Sequence, residues 1–278
     1  MALRVDRLCF AFANRRAVFD ALTLTLQPGR VVAVVGPNGC GKTTLLRLIV
    51  GTLTPGSGSI TLDERPIAEM SPADIARRLA FVGQRPTLAG DFSVRQVVAM
   101  GRLRHHGLDD APAVASALAQ VGLADAGDAP FSTLSAGQQQ RVSLARALAQ
   151  LDAPAPSSAQ RTRVLLADEP VAAMDPAHSE RAMSTLRDVA RRGVLVLVVL
   201  HDLSLAIRWA DEGVVLAPRT DTDAAKAPIG PAELVAHGPI RQALCEEHLH
   251  RAFGVRFWEA CSPDGALAGV VPRGLPSP

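Results

Sequence analysis

Residues 31–44 decide the fold of this 278-residue chain, and they read VVAVVGPNGCGKTT. The apolar run 31–35 is typical of a strand covered on both faces, and residues 43–50 predict a helix. A glycine-rich loop between a strand and a helix suits phosphate, because its backbone N–H groups surround the anion and the helix adds its positive end. We therefore predict a nucleoside triphosphate site at residues 36–44.

This loop fits the pattern G-x-x-x-x-G-K-[ST], which assigns Lys42 to the β- and γ-phosphates and Thr43 to Mg²⁺. Because Cys40 lies inside the loop, we expect alkylation of its thiol to block nucleotide binding, and bound nucleotide to protect it. The residues expected to line the nucleotide are Gly36, Pro37, Asn38, Gly39, Cys40, Gly41, Lys42, Thr43 and Thr44.

The bulk composition excludes several classes of protein. Hydrophobic residues make up 48% and charged residues 20%, which is enough for a sizeable core. The net charge of +2 argues neither for nor against nucleic acid, but no basic stripe is visible, so we expect no nucleic-acid partner. The four cysteines form no C-x-x-C pair, so we expect no zinc knuckle and a reducing compartment. The longest apolar run, 194–200, is too short to cross a bilayer, which needs about 20 helical residues.

Strands and helices alternate along most of the chain. Strands are predicted at 3–10, 22–26, 31–35, 60–62, 79–82, 164–166 and 194–200, and helices at 43–50, after Ser71, and at 176–192. This alternation predicts an α/β fold with a mostly parallel sheet.

The remaining segments carry weaker patterns. Residues 93–150 predict helices with breaks near Gly107 and at 127–130, and the proline-rich segment 152–163 predicts a linker or surface insertion. Beyond residue 218 we expect a loop at 219–230, one helix at 240–253 and fraying of the last dozen residues.

An apolar strand that ends in two carboxylates, Asp168 and Glu169, follows the insertion. Downstream of a phosphate loop, the first carboxylate is placed to hold Mg²⁺ and the second to polarise the attacking water. We predict that both are catalytic.

Many classes of nucleotide-binding protein share the phosphate loop, and residues 134–141, which read LSAGQQQR, distinguish among them. They resemble the L-S-G-G-Q signature of ABC transporter ATPases. Ser135 and Gly137 would offer a hydroxyl and N–H groups to an anion at the start of a helix. In that family the anion is the γ-phosphate bound by the other subunit, so the resemblance makes Ser135, Ala136, Gly137 and Gln138 nucleotide-binding residues.

Further residues match the same family in the same order. Gln84 fits the Q-loop, which touches Mg²⁺ and water, and Asp175 fits the D-loop, which crosses between subunits. His201 ends an apolar strand and fits the switch histidine that bonds the γ-phosphate. The family also stacks an aromatic ring on adenine, for which Phe12 is our first choice and Phe10 the second.

The resemblance covers about residues 3–217 and implies a P-loop NTPase core, an N-terminal antiparallel β subdomain and an inserted α-helical subdomain at 86–150. The whole chain, 1–278, would be one nucleotide-binding domain with a C-terminal extension at 218–278. Two departures from the family are visible. Ala136 replaces a glycine, which puts the rate of turnover in doubt, and Met174 replaces a leucine at little cost in volume.

The resemblance also implies the assembly. Two copies would face each other head to tail, each ATP lying between the phosphate loop of one copy and residues 135–138 of the other. The homodimer would bind two transmembrane permease subunits at the cytoplasmic face of a bacterial inner membrane, and a periplasmic binding protein would be reached through them.

The prediction of the transported compound rests on resemblance alone. Residues 92–102, 175–178 and 200–206 look like the ATPases of iron-chelate, haem and cobalamin importers, and an insertion at 152–163 resembles those of haem (hemin) importers. A siderophore or cobalamin importer stays open, as does an exporter. A direct haem-ligand role for His105 and His106 is not expected, since adjacent helical residues do not share a face.

Two other classes of protein are alternatives. A soluble ABC ATPase of DNA repair or translation would carry coiled-coil insertions or two cassettes, and the chain shows neither pattern. A P-loop kinase would lack the segment 134–138.

Overall fold

The computed structural model describes residues 2–13, 16–84, 88, 90–103, 110–152, 161–219, 230–261 and 267–273. The strands within these ranges are β1 (Leu3–Ala11), β2 (Ala17–Leu26), β3 (Val31–Val35), β4 (Ser57–Leu62), β5 (Arg65–Pro66), β6 (Leu79–Val82), β7 (Arg163–Asp168), β8 (Val194–Val199), β9 (Glu212–Pro218), β10 (Ala232–Pro239), β11 (Phe257–Cys261) and β12 (Leu267–Pro272). The α-helices are α1 (Lys42–Ile49), α2 (Pro72–Arg78), α3 (Val94–Ala99), α4 (Ala111–Gln120), α5 (Ala136–Leu151), α6 (Pro176–Arg191), α7 (Leu203–Trp209), α8 (Ile240–Ala243) and α9 (Glu246–Phe253).

One large mixed sheet organises the molecule, with the strand order β5-β4-β1-β2-β10-β9-β3-β8-β7-β6. Strands β9, β3, β8, β7 and β6 run parallel to one another, and β10 pairs antiparallel with β9. Strands β1, β2, β4 and β5 pair antiparallel at the other end of the sheet. The predicted α/β class, with a parallel core and an N-terminal antiparallel region, is confirmed.

The central strands are buried because their side chains are apolar on both faces. Val31, Ala33 and Val35 of β3 pack into a core on one side of the sheet, which contains the helices α3 to α7. Val32 and Val34 pack on the other side, against α1 and the antiparallel strands. A strand covered on both faces has no polar side chain to expose, which explains its unbroken apolar sequence.

The helical region lies beside this core. Helix α3 starts at Ser93 with a reciprocal cap, in which the serine hydroxyl accepts from the Gln96 N–H and the Gln96 side chain accepts from the Ser93 N–H. It packs on α5, as does α4. The predicted break at 127–130 is confirmed, whereas the one near Gly107, together with His105 and His106, lies outside the described residues.

The C-terminal region departs most from the sequence prediction. Strand β10 enters the main sheet between β9 and β2, so part of the segment after residue 218 belongs to the core. The single helix predicted at 240–253 is wrong: α8 and α9 are separate, because Cys245 is extended and starts α9. The expected fraying is wrong for β12, which pairs with β11 in a separate hairpin. The predicted loop at 219–230 falls largely outside the described residues.

No helix among the described residues is long and apolar enough to pass through a bilayer.

A polar clasp joins the antiparallel strands to the parallel core. Asp63, in the turn after β4, accepts bonds from the Thr162 N–H at 2.9 Å and hydroxyl at 2.6 Å, and pairs with the Arg78 guanidinium. Arg78 also donates to the Thr162 carbonyl at 3.1 Å. The guanidinium is 9% exposed, so the clasp fixes the chain just before β7.

We expect Asp63→Ala to lower the free energy of unfolding by roughly 3–5 kcal/mol, because it leaves a buried guanidinium without its counter-charge. The measurement is urea unfolding followed by circular dichroism. Asp6→Ala is the matched control, since its partner Arg4 is 60% exposed and such surface pairs contribute about 0–1 kcal/mol. Equal losses in the two variants would contradict a special role of the clasp.

Candidate nucleotide site

The phosphate loop has the close packing that its glycines permit. A Cβ at Gly36 would lie 2.1 Å from the Leu216 carbonyl oxygen, and one at Gly41 would lie 2.8 Å from a Val18 methyl carbon, so neither position has space for a side chain. Gly41 also adopts φ +91°, a left-handed conformation that favours glycine, immediately before α1. The loop is thereby packed closely against β9 and β2.

The ammonium of Lys42 is buried and points back over this loop. It donates to the carbonyl oxygens of Gly36 at 2.8 Å and Pro37 at 2.9 Å. These bonds hold the cation at the start of α1, where the backbone N–H groups of the helix are also unpaired. The loop therefore concentrates positive charge and N–H donors at one point.

Thr43 and Asp168 meet next to the lysine. The threonine hydroxyl donates to Asp168 Oδ1 at 3.1 Å, although the two residues are 125 positions apart. Burial raises the pKa of the Asp168 carboxyl, and the hydrogen bond from Thr43 opposes that effect. A cation bound beside this carboxylate would stabilise its charged form.

Glu169 lies at the centre of a second cluster. Its Oε2 accepts from the Gln84 amide at 2.8 Å, and its Oε1 lies 2.5 Å from His201 Nε2. Glu169 itself has φ +50°, a left-handed conformation that costs a non-glycine residue about 1–3 kcal/mol and occurs mainly where surrounding contacts enforce it. The two side-chain bonds therefore fix the carboxylate of a residue with a strained backbone in one orientation.

Parallel pairing explains why these residues come together. Asp168 of β7 is opposite Val199 of β8, and Ala167 is opposite Val82 of β6. Gln84, Glu169 and His201 each follow one of these three strands by one or two residues. The carboxyl ends of neighbouring parallel strands form one edge, which is the usual location of sites in open α/β sheets.

Residues 135–138 lie apart from this cluster, at the start of α5. Ser135 caps the helix: its hydroxyl accepts from the Gln138 N–H at 3.3 Å and its own N–H donates to Gln138 Oε1 at 2.9 Å. Ser135 and Ala136 are exposed. In the described part of the chain these residues make no hydrogen bond to the phosphate loop.

Gly137 has a packing reason to be glycine. A Cβ at this position would lie 2.6 Å from the Ala173 carbonyl oxygen, so the start of α5 and the segment before α6 are in direct contact. Gln140, one turn later, donates to the Gly83 carbonyl at 3.2 Å, next to Gln84. The two contacts connect the start of α5 to both neighbouring loops. The sequence did not reveal either contact, since both depend on the tertiary fold.

Asp175 caps α6 and has a partner that the sequence analysis missed. Its Oδ1 accepts from the His178 N–H at 2.9 Å, and its Oδ2 lies 2.7 Å from His178 Nδ1. Both bonds lower the pKa of the Asp175 carboxyl. The signal for this pair was the three-residue spacing that a helix cap requires.

The two candidate adenine-stacking rings differ in exposure. Phe10 is 8% exposed and belongs to the core, whereas Phe12 is 39% exposed. Their rings pack edge to face with centroids 4.9 Å apart. Phe12 thus has an open ring supported by a buried one, and it stays our prediction for the stacking residue.

The donor atoms beside the phosphate loop suit Mg²⁺. A hydroxyl oxygen, a carboxylate oxygen and an amide side chain, from Thr43, Asp168 and Gln84, are the ligand types of a hard cation that keeps water or phosphate oxygens in its other positions. The raised pKa of Asp168 adds to this agreement, because a nearby cation would stabilise its charged form.

The fold and these residues define a P-loop ATPase in which a strained carboxylate is held by a glutamine and a histidine. Comparison with known sequences gives the family: the ABC transporter model matches residues 19–172, and the chain belongs to that family. It is 36% identical over 260 residues to the hemin import ATP-binding protein HmuV of Bordetella pertussis, which covers 92% of this chain and 93% of the relative. The HmuV protein of Pseudomonas aeruginosa is 42% identical over 216 residues, or 77% of this chain and 82% of the relative.

A solved structure with the same fold is an inward-facing conformation assigned to the metal-chelate type of ABC transporter. It matches with a TM-score of 0.75 and 26% identity, covering 98% of this chain and 97% of the other. The predicted resemblance and the predicted ATPase class are confirmed.

The burial of Cys40 bears on the expected alkylation of its thiol. The thiol is 2% exposed and lies beneath the loop, close to Gly36. Burial raises the pKa of the Cys40 thiol, with only partial opposition from the Lys42 charge. Because the thiolate is the reactive form, alkylation of Cys40 in the folded protein should be slow, and the expected block of nucleotide binding stays a prediction.

We expect iodoacetamide at neutral pH to modify Cys261 at least 10 times faster than Cys40, since Cys261 is exposed and Cys40 is not. The measurement is peptide mass spectrometry after timed quenching. In denaturant the two rates should converge. Rapid labelling of Cys40 in the folded protein, with protection by ATP, would restore the original expectation.

Proposed function

We propose that this chain is the ATP-hydrolysing subunit of a bacterial hemin importer, acting at the cytoplasmic face of the inner membrane. The Gln84–Glu169–His201 cluster beside the phosphate loop is the observation that carries hydrolysis. The cargo is inferred from relatives named as hemin import ATP-binding proteins. The ABC ATPase class itself follows from the family.

ATP binding is assigned to residues 36–44. The N–H groups of the loop and of the first turn of α1 would bind the phosphates. Lys42 would exchange its bonds to the Gly36 and Pro37 carbonyls for phosphate oxygens. The open ring of Phe12 would stack on adenine, contributing apolar area and a π face.

Glu169 is assigned as the group that orients and polarises the attacking water. Its bonds to Gln84 and His201 already fix the direction of both carboxylate oxygens. With ATP bound, His201 Nε2 would exchange its contact with Glu169 Oε1 for a hydrogen bond to the γ-phosphate, and exposure of 45% of its side chain leaves it room to do so. Thr43, Asp168 and Gln84 would hold Mg²⁺, which supplies charge neutralisation on the phosphates when bound.

The second half of each site would come from another copy of the chain. Ser135 is exposed, and its hydroxyl hydrogen is free to donate while its oxygen caps α5. Ala136, Gly137 and Gln138 would present N–H groups to the γ-phosphate of the partner copy. Asp175 would contact the partner near its phosphate loop. An isologous homodimer then has two equivalent ATP sites.

Two permease subunits would transmit the motion, and a periplasmic binding protein would deliver the cargo to them. The region 86–150 is assigned as the helical subdomain that receives a short helix of the permease. Helices α3, α4 and α5 would form the wall of that groove. Closure of the dimer by ATP and its opening after hydrolysis would drive transport.

Cargo identity is tested with the transporter reconstituted in proteoliposomes. ATPase activity is measured with hemin-, ferric siderophore- and cobalamin-loaded carrier proteins in turn. Hemin carriers should stimulate turnover and the other two should not. Stimulation only by a siderophore or cobalamin carrier would replace hemin as cargo, and activity without any permease would favour a non-transport ATPase.

We expect Glu169→Gln to lower ATP turnover by about 10²–10⁴-fold, the range for a positioned base. ATP binding should persist, because the phosphate loop is unchanged. Turnover is measured by phosphate release and binding by a fluorescent ATP analogue. Glu69→Gln, which neutralises an exposed carboxylate, is the matched control. Wild-type turnover in Glu169→Gln would remove Glu169 from the role of base.

A further inference from the structure

The C-terminal hairpin of β11 and β12 packs on α7, outside the main sheet. Its inner side chains Phe257 and Val270 are buried, whereas Trp258 and Val271, which pair across the two strands, are more than half exposed. The hairpin is tied to the preceding helix by an edge-to-face contact between Phe253 and Phe257, with ring centroids 5.9 Å apart. One face of the hairpin thus belongs to the core.

Ser204 of α7 is in direct contact with the hairpin. Its hydroxyl accepts from the Val270 N–H at 3.3 Å and donates to the Val270 carbonyl at 3.4 Å. Gly269 lies against the same side chain: a Cβ there would be 2.4 Å from Ser204 Oγ and 2.7 Å from Ser204 Cβ. The hydroxyl therefore satisfies both the backbone N–H and the backbone carbonyl of Val270. At the neighbouring position 269 only a glycine fits.

Ser204 lies in the first turn of α7, three residues after His201. Asp202 caps this helix through a 2.9 Å bond from the Leu205 N–H, so His201 precedes the cap directly. Of the elements that contact α7, β12 makes a more extensive contact than α6, α8 or β3. The position of the hairpin consequently limits the position of the first turn and of the histidine attached to it.

The remaining contacts of His201 do not by themselves fix its position, so the contact between α7 and the hairpin matters. Its imidazole is 45% exposed and bonds Glu169, itself a strained residue. The backbone before it is fixed by the 3.2 Å bond from the Leu200 N–H to the Val34 carbonyl. On the other side, Leu203 is buried in the core, and the first hydrogen bonds to a residue outside the helix, among the described residues, are those between Ser204 and Val270.

We propose that the C-terminal hairpin is a positioning element of the hydrolytic site, in which Ser204 and Gly269 hold the start of α7 so that His201 stays in register with Glu169. This inference rests on the role of His201 proposed above. It gives part of the C-terminal extension a function in turnover, separate from ATP binding and from the core strand β10.

The test uses the full-length chain in the reconstituted transporter. Gly269→Ala should push the hairpin from Ser204 and lower kcat by about 10- to 100-fold, since a displacement of about 1 Å at a catalytic group can cost 10²-fold. Ser204→Ala keeps the packing and removes both bonds, with an expected loss of about 3- to 10-fold. KM for ATP should stay the same in both, because the phosphate loop is untouched.

Ser59→Ala is the matched control, an exposed serine on β4 at the antiparallel end of the sheet. It should leave kcat unchanged. Thermal midpoints and ATP binding are measured for each variant, so that a loss of folding is separated from a loss of turnover. Ser204→Ala serves as the milder variant if Gly269→Ala is unstable.

A His201→Ala background decides between positioning and general stability. If the hairpin acts through the histidine, Ser204→Ala and Gly269→Ala should cause no further loss of single-turnover rate once the imidazole is gone. The same fold loss in both backgrounds, or unchanged kcat in the wild-type background, overturns the proposal. A His201→Ala variant with wild-type turnover instead refutes the proposed role of His201, and the hairpin proposal with it.

Discussion

The carboxylate of Glu169, shared between the Gln84 amide and the His201 imidazole, is the interaction on which the site depends. Each of the three residues follows a different parallel strand, so the cluster exists only if β6, β7 and β8 keep their register. A shift of one residue would turn alternate side chains to the opposite face. The buried valines and leucines of these strands thus determine catalytic geometry as well as stability.

The same constraint separates the two segments proposed to form the ATP site. The groups proposed to bind phosphate and to orient water lie at the edge of the parallel strands, whereas Ser135 begins helix α5 and is exposed. Gly137 contacts the Ala173 carbonyl, close to Asp175, so the two segments proposed to reach the partner copy are packed against each other. A movement of one would therefore be transmitted to the other.

Sequence predicted the parallel core because its signals are local: continuous apolar strands, a glycine loop and polar residues at strand ends. The bounds of β3 and β6 agree with the prediction. Features that depend on long-range contacts were missed. β10 pairs with β2, which is far away in sequence, β12 was taken for a frayed end, and the burial of Cys40 arises from packing beneath Gly36. For the same reason Ser204 showed no sequence signal of its contact with the hairpin.

The central claim is that one chain holds half of each ATP site. It is tested most directly by sedimentation of the Glu169→Gln protein with ATP and Mg²⁺, with and without Ser135→Arg. Glu169→Gln should sediment at twice the mass of one chain when ATP is present, and the added arginine should keep it at the mass of one chain while ATP still binds. A chain that binds ATP, stays monomeric and hydrolyses it at a rate per chain independent of protein concentration would contradict the account.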